Sequence, residues 1–181
     1  MFTLRRISGA GIFAAVAATL AACAVQPPAA RGPSLGVAVG ADEIARWDIS
    51  IPPSGVGLPA GSGSVKQGEA VYAAKCQACH GAKGVGKPAD VLVGGKGTLA
   101  TNAPVRTVGS YWPYATTLFD YVRRAMPIQN PLSLTNDEVY AVSAYVLNLN
   151  GIIPADAVMN AQTLPQVKMP NRDGFIDCSR K

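Results

Sequence analysis

The stretch CQACH, residues 76–80, is the most informative part of the sequence. Its two thiols are three residues apart, on one side of a helical turn, and a histidine follows directly. This C-x-x-C-H pattern predicts covalent attachment of a haem through Cys76 and Cys79, with His80 placed to coordinate the iron. The alternatives are a thioredoxin-like redox pair or half of a zinc site, but a zinc site needs two further Cys or His ligands. His80 is the only histidine, and no second Cys pair exists.

The chain has only one histidine, so it cannot supply two histidine ligands to the iron. The second axial ligand is therefore expected to be a methionine. Met1 is expected to leave with a signal peptide, so Met126, Met159 and Met169 remain. Met126 ends a predicted helix and precedes Pro127, which forces an extended turn that presents the thioether sideways. Met159 and Met169 lie beyond the last predicted helix, where packing or surface roles are expected. The sequence therefore favours Met126.

Three helices are predicted from apolar periodicity and N-terminal capping signals. They are residues 65–75 after Ser64, residues 117–126 with the pattern Thr117-x-x-Asp120, and residues 136–148 with the pattern Thr135-x-x-Glu138. No alternating strand pattern appears, and residues 81–110 are predicted to be loop. A short helix is expected near residues 154–159.

The N terminus carries a predicted export signal. Two arginines precede an apolar run, residues 11–22, which as a helix would span roughly 18 Å and is too short for a permanent membrane span. The string LAAC ending at Cys23 resembles the bacterial lipobox. Residues 1–22 are therefore predicted to be a lipoprotein signal peptide and Cys23 the site of lipid attachment, with an ordinary signal peptide as the alternative. This places the protein on the periplasmic side of a bacterial membrane, and Ala24 favours the outer membrane.

From residue 65 to residue 153 the chain resembles class I cytochromes c. The resemblance rests on CQACH, on the pair Met126-Pro127 and on the closing helix LTNDEVYAVSAYVLNLN. It implies an all-α fold of three main helices around one covalently bound haem c, with long irregular N- and C-terminal arms. The positions that fit the crossing of the first and last helices are Gly68, Tyr72 and Tyr145.

More narrowly, the segments GSYWPYATTLFDYVRRAMP and KMPNRDGFID are similar to cytochrome subunits of molybdenum-dependent sulfur dehydrogenases, such as Sox sulfane dehydrogenase and sulfite dehydrogenases. The similarity implies an electron-transfer protein that is not itself an enzyme. It would take electrons from a periplasmic dehydrogenase and pass them to another cytochrome or a terminal oxidase. The alternatives are a subunit of another periplasmic dehydrogenase such as an alcohol dehydrogenase, a haem enzyme with an exchangeable axial ligand, and an interaction module whose tail docks a partner.

Composition divides the mature chain into three further parts. Residues 23–63 are a Pro/Gly-rich tether, residues 64–151 the cytochrome c domain, and residues 152–181 a C-terminal extension. The formal net charge is +5, and removal of the signal peptide takes away two of 16 basic residues, which leaves 14 − 11 = +3. This slight excess argues against nucleic acid as a partner.

Several side chains near the motif are secondary candidates. Trp112 could donate its indole N–H to a haem propionate or simply be a core aromatic. Arg123 or Arg124 could pair with a propionate, or both could be solvated helix charges. Cys178 has no expected partner. The lysines that could form a docking face for an acidic partner are Lys75, Lys83, Lys87 and Lys96.

Overall fold

The computed structural model describes residues 36–176 and residue 178. Five α-helices, two short strands and two 3₁₀ turns lie within this part of the chain. They are α1 (Ala41–Trp47), β1 (Ser62–Ser64), α2 (Val65–Lys75), α3 (Gln77–His80), a 3₁₀ turn (Ala82–Gly84), α4 (Ala115–Ala125), α5 (Asn136–Leu149), β2 (Val158–Asn160) and a second 3₁₀ turn (Leu164–Gln166). None of these helices has the length and apolar character needed to cross a membrane. Residues 45 onward form one compact unit, which contains all the contacts described below.

Helix α2 has the predicted bounds and the predicted N-cap. The hydroxyl of Ser64 accepts a hydrogen bond from the Gln67 N–H at 3.2 Å, and the Gln67 side chain accepts one from the Ser64 N–H at 2.8 Å. This reciprocal capping box satisfies two backbone donors that have no partner inside the helix, and a cap of this kind contributes about 1 kcal/mol. The helix therefore begins where local sequence dictates.

Helix α5 also begins at the predicted residue. Thr135 and Glu138 form a second capping box, with the Glu138 carboxylate accepting from the Thr135 N–H at 2.9 Å. Gly151 follows the helix with φ +63°, a conformation in which glycine has no steric penalty. Every residue from Val139 to Leu147 is buried, so α5 is the central element of the core.

The predicted start of helix α4 was wrong. The helix begins at Ala115, two residues before Thr117, and its N-cap Tyr114 makes no side-chain capping bond. Asp120 does not cap the helix because it has other partners: it accepts from the Ile51 N–H at 3.1 Å and pairs with Arg124 at 2.9 Å. A contact across 69 residues thus replaces the local one that the pattern suggested.

Helices α2 and α5 cross in close contact at the expected glycine. A Cβ added to Gly68 would lie 1.9 Å from the carbonyl oxygen of Ala141, so no larger residue fits there. One turn further along each helix, the rings of Tyr72 and Tyr145 pack with centroids 5.3 Å apart. This crossing fixes the end of α2, and with it the position of the CQACH segment that follows.

The predicted absence of strands was wrong, although the sheet is small. Strands β1 and β2 pair antiparallel, with Ser62 opposite Asn160, and β2 replaces part of the short helix expected near residues 154–159. Residues 51–63, predicted to be the end of a tether, instead contact the domain. Ile51 is buried in the core, and the backbone carbonyl of Pro59 accepts a hydrogen bond from the Tyr140 hydroxyl at 2.9 Å.

The C-terminal extension is largely irregular, as predicted, but its first part belongs to the core. Its buried side chains are Met159, Leu164, Val167 and Met169. The two methionines therefore have the packing role expected of them. The C-terminal extension is thus held against the domain along most of its described length.

Candidate haem site

The four side chains predicted to hold a haem line one cavity of about 520 Å³. Cys76 lies between α2 and α3, Cys79 and His80 lie in α3, and Met126 follows the end of α4. A volume of this size is within the usual range for cofactor sites. The apolar wall of the cavity includes Val91, Leu92, Val108, Leu118, Val122, Val142 and Val146.

The orientation of the His80 ring is fixed by a backbone carbonyl. Its Nδ1 lies 2.9 Å from the carbonyl oxygen of Asp90. A carbonyl only accepts hydrogen bonds, so the contact assigns a proton to Nδ1 and, in the neutral ring, leaves the lone pair on Nε2. This arrangement suits a metal-ligating imidazole, because the second nitrogen of such a ring is normally held by an acceptor.

The segment after the motif is folded back on it by backbone hydrogen bonds. The Gly86 N–H donates to the His80 carbonyl at 2.7 Å, and the Ala89 N–H donates to the Cys79 carbonyl at 2.8 Å. Gly81 begins this segment at φ +73°, and a Cβ there would lie 2.5 Å from the Gly86 carbonyl oxygen. The loop can close on the histidine only with glycine at position 81.

Burial affects two groups on the same side of the cavity. It raises the pKa of the Tyr72 hydroxyl to about 12, with smaller contributions from neighbouring groups. The protonated hydroxyl donates to the Gly81 carbonyl at 2.9 Å, which ties α2 to the loop. Burial also raises the pKa of the free Cys76 thiol, as it stands before any haem is attached, to about 11.

Met126 leaves helix α4 as the sequence predicts. The helix ends at Ala125, and Met126 has an extended backbone, φ −120° and ψ 140°, while its N–H still donates to the Val122 carbonyl at 3.1 Å. Pro127 follows and cannot continue the helix. Beyond it, the amide nitrogen of Gln129 lies 4.0 Å from the Cys79 sulfur, so the methionine loop reaches the motif.

Comparison with known proteins agrees with this geometry. Residues 63–146 match the family described as cytochrome c oxidase, cbb3-type, subunit III. A chain in the crystal structure of the sulfane dehydrogenase SoxCD from Paracoccus pantotrophus is 41% identical to this one, with a TM-score of 0.75. The match covers 82% of this chain and 73% of that one. The chain belongs to the cytochrome c family. No curated protein matches it significantly.

The wall of the cavity in this cytochrome also includes polar side chains that fit a haem. Arg106, Trp112 and Tyr121 all line it, and the rings of Trp112 and Tyr121 meet edge to face at 5.6 Å. No hydrogen bond joins the guanidinium, the indole N–H or the Tyr121 hydroxyl to any described residue. Arg106 and Tyr121 are partly open to solvent, and a cationic donor with two neutral donors at the mouth of an apolar cavity suits a cofactor that carries carboxylates, as haem does.

Of the two interpretations given for Arg123 and Arg124, the structure favours helix charges over a propionate contact. Neither Arg123 nor Arg124 lines the cavity, and Arg124 is bound to Asp120. Arg106 lines the cavity instead, and the sequence did not reveal it because it lies in a loop without helical periodicity. Its backbone position is nevertheless firm, since the adjacent Thr107 is buried and its hydroxyl donates to the Gly94 carbonyl at 2.6 Å.

The remaining candidates are the lysines and the two other cysteines, which lie at the edge of the cavity, on the surface or outside the described residues. Lys75 lines the cavity and pairs with Glu138 at 2.6 Å, whereas Lys83, Lys87 and Lys96 are exposed and do not line it. Cys178 is exposed. Cys23 and the signal peptide lie outside the described residues.

Proposed function

We propose that this cytochrome carries single electrons through one haem c, bound covalently at Cys76 and Cys79 and ligated by His80 and Met126. The observation that carries the proposal is the convergence of these side chains, separated by up to 50 residues, on one apolar cavity. A haem held there supplies one-electron chemistry at its iron. In this account α2, α4 and α5 are the three main helices of a class I cytochrome c.

The arrangement of the side chains favours a carrier over an enzyme. His80 supplies Nε2 from α3 and Met126 supplies its thioether from the end of α4, so both axial positions have a protein ligand in the proposal. A haem enzyme needs an open or exchangeable position, and methionine ligation favours a comparatively high potential. The chain therefore has no substrate of its own and serves as a subunit or partner of an oxidoreductase.

The donor we favour is a periplasmic dehydrogenase for sulfur compounds, with molybdenum as its cofactor. The support is the 41% identity to a chain of SoxCD together with the YWPY and KMPNRDGFID segments. Another periplasmic dehydrogenase, such as an alcohol dehydrogenase, is the alternative. The acceptor would be a second cytochrome or a terminal oxidase, and lipid attachment at Cys23 would keep the carrier on the periplasmic side of the membrane.

Two exposed lysines are placed to assist docking near the motif. Lys83 and Lys87 lie in the loop that folds back on His80, at φ +55° and +76°. Non-glycine residues with positive φ are uncommon and occur often at functional sites. Cations there would act mainly on the rate of association with an acidic partner.

The first test is whether the haem stays on the denatured polypeptide. We expect wild-type protein matured in a periplasm to retain its haem through acid and organic-solvent extraction, and Cys76→Ser with Cys79→Ser to lose it. Extraction of the haem from the wild type would contradict covalent attachment.

The second test concerns the donor. We expect a molybdenum enzyme to co-purify with the cytochrome from native membranes, and a stable complex without molybdenum would contradict the sulfur-dehydrogenase proposal.

A further inference from the structure

The C-terminal tail, residues 171–175, contacts the segment Tyr111–Tyr114 that carries Trp112 into the haem cavity. The side-chain amide of Asn171 donates to the Tyr111 carbonyl at 2.7 Å. The ring of Phe175 meets the Tyr111 ring edge to face, with centroids 5.3 Å apart. None of the tail residues lines the haem cavity itself.

A third contact holds the other end of the same segment. The guanidinium of Arg172 lies 4.6 Å from the centroid of the Tyr114 ring, at cation–π distance. Tyr114 is the N-cap of α4, the helix that ends at Met126. The tail is anchored to the core just before it begins. Met169 is buried, and the Arg172 N–H donates to the Met169 carbonyl at 3.1 Å.

Arg106 connects this tail to the haem cavity. Its guanidinium lies 5.6 Å from the centroid of the Tyr111 ring, the ring that Phe175 also contacts. Arg106 also belongs to the wall of a second cavity of about 330 Å³, whose other residues are Leu99, Ala100, Pro104, Tyr111, Asn171, Gly174 and Phe175. Arg106 is exposed, lines both cavities and shares the Tyr111 ring with Phe175, so the tail and the haem cavity are joined through this side chain.

We propose that the C-terminal tail is a positioning element that holds Arg106 and Trp112 at the haem and thereby sets its reduction potential. The inference rests on the proposed function. A positive charge beside a haem stabilises the reduced form, and the effect weakens as the charge moves away. Phe175 packs on the Tyr111 ring over which Arg106 lies. Without Phe175 that ring is held less firmly, so Arg106 is held less closely at the haem and the potential falls.

The test is a potentiometric titration of the haem-loaded full chain with four tail variants. We expect Phe175→Ala to lower the midpoint potential, Phe175→Tyr to restore it because the ring remains, and Asn171→Ala to lower it in the same direction. Ile176→Ala is the matched control, since that side chain is the next in the tail and is 85% exposed. Its potential should equal that of the wild type. The absorption band of methionine ligation should persist in every variant.

A double variant tests whether the tail acts through Arg106. In an Arg106→Gln background, Phe175→Ala should cause little further shift, because coupled residues are not additive. An equal shift in both backgrounds, or an unchanged potential in Phe175→Ala, would overturn the proposal. Failure of the proposed function would look different, because the wild type itself would then lack a covalent haem or the methionine band.

Discussion

The two proposed axial ligands are held in different ways. His80 ends α3 and is followed by a loop that hydrogen bonds from Gly86 and Ala89 fold back on it, and its ring is bound to the Asp90 carbonyl. Met126 depends on the last hydrogen bond of helix α4, and the loop after it is largely exposed, with Ile128 at 68% and Leu132 at 61%. The comparison indicates that the histidine side is fixed by its own loop, whereas the methionine side is held by fewer contacts and should tolerate substitution better.

Replacing each ligand in turn should give the largest and most unequal effects. We expect His80→Ala to prevent assembly of a low-spin haem protein. Met126→Leu should keep its covalent haem, bind added imidazole and have a much lower potential, since axial ligands set potentials over roughly 0.8 V. Absorption spectra with and without imidazole measure the binding of imidazole to the iron. Equal imidazole affinity in Met126→Leu and the wild type would remove the contrast between the two sides.

Gly81→Ala should weaken the histidine side specifically. Its added Cβ would meet the Gly86 carbonyl at 2.5 Å and its φ is +73°, so we expect a loss of about 2–4 kcal/mol in unfolding free energy. Gly97→Ala is the matched control, because φ is +80° there and nothing lies within 4 Å. It should lose only about 1 kcal/mol. Equal losses in denaturant titrations would show that the clash at position 81 is relieved.

Tyr72→Phe should have a smaller effect on the same loop. It removes the hydrogen bond to the Gly81 carbonyl, which costs about 1 kcal/mol when a partly buried acceptor is left unpaired. Tyr145→Phe is the control, since it keeps the packed ring pair and its hydroxyl has no hydrogen bond to a described residue. Amide exchange in residues 81–89 should accelerate in the first variant and stay unchanged in the second.

The smallest effect is expected from the pair between Lys75 and Glu138 at the end of α2. The hydrogen bond from Lys75 lowers the pKa of Glu138 from its ordinary value of 4.5. Its contribution to stability is therefore complete above that value and is lost as the pH falls through the lowered pKa. Glu138→Gln keeps the capping geometry and removes the charge, so it should cost a few tenths of a kcal/mol at pH 7. The difference in unfolding free energy between the wild type and Glu138→Gln should therefore shrink as the pH falls. A difference that grows at lower pH would contradict the proposed role of the charge.

Local signals predicted much of this molecule, and contacts distant in sequence account for the errors. Ser64 and Thr135 mark helix starts correctly because each bonds a residue three positions away. Asp120 was misleading because its partner Ile51 is remote in sequence. The importance of Arg106 depends on how the loops fold over the cavity, which no periodic pattern reveals. The pairing of β1 with β2 likewise joins opposite ends of the domain.

The most direct test of the proposed ligation is the absorption band of methionine-bound ferric haem, near the red edge of the visible range, in three Met→Leu variants of similar volume. We expect the band in the wild type, in Met159→Leu and in Met169→Leu, whose buried sulfurs lie in the core. It should be absent only from Met126→Leu. A wild type without the band, or its persistence in Met126→Leu, would contradict ligation of the haem by His80 and Met126.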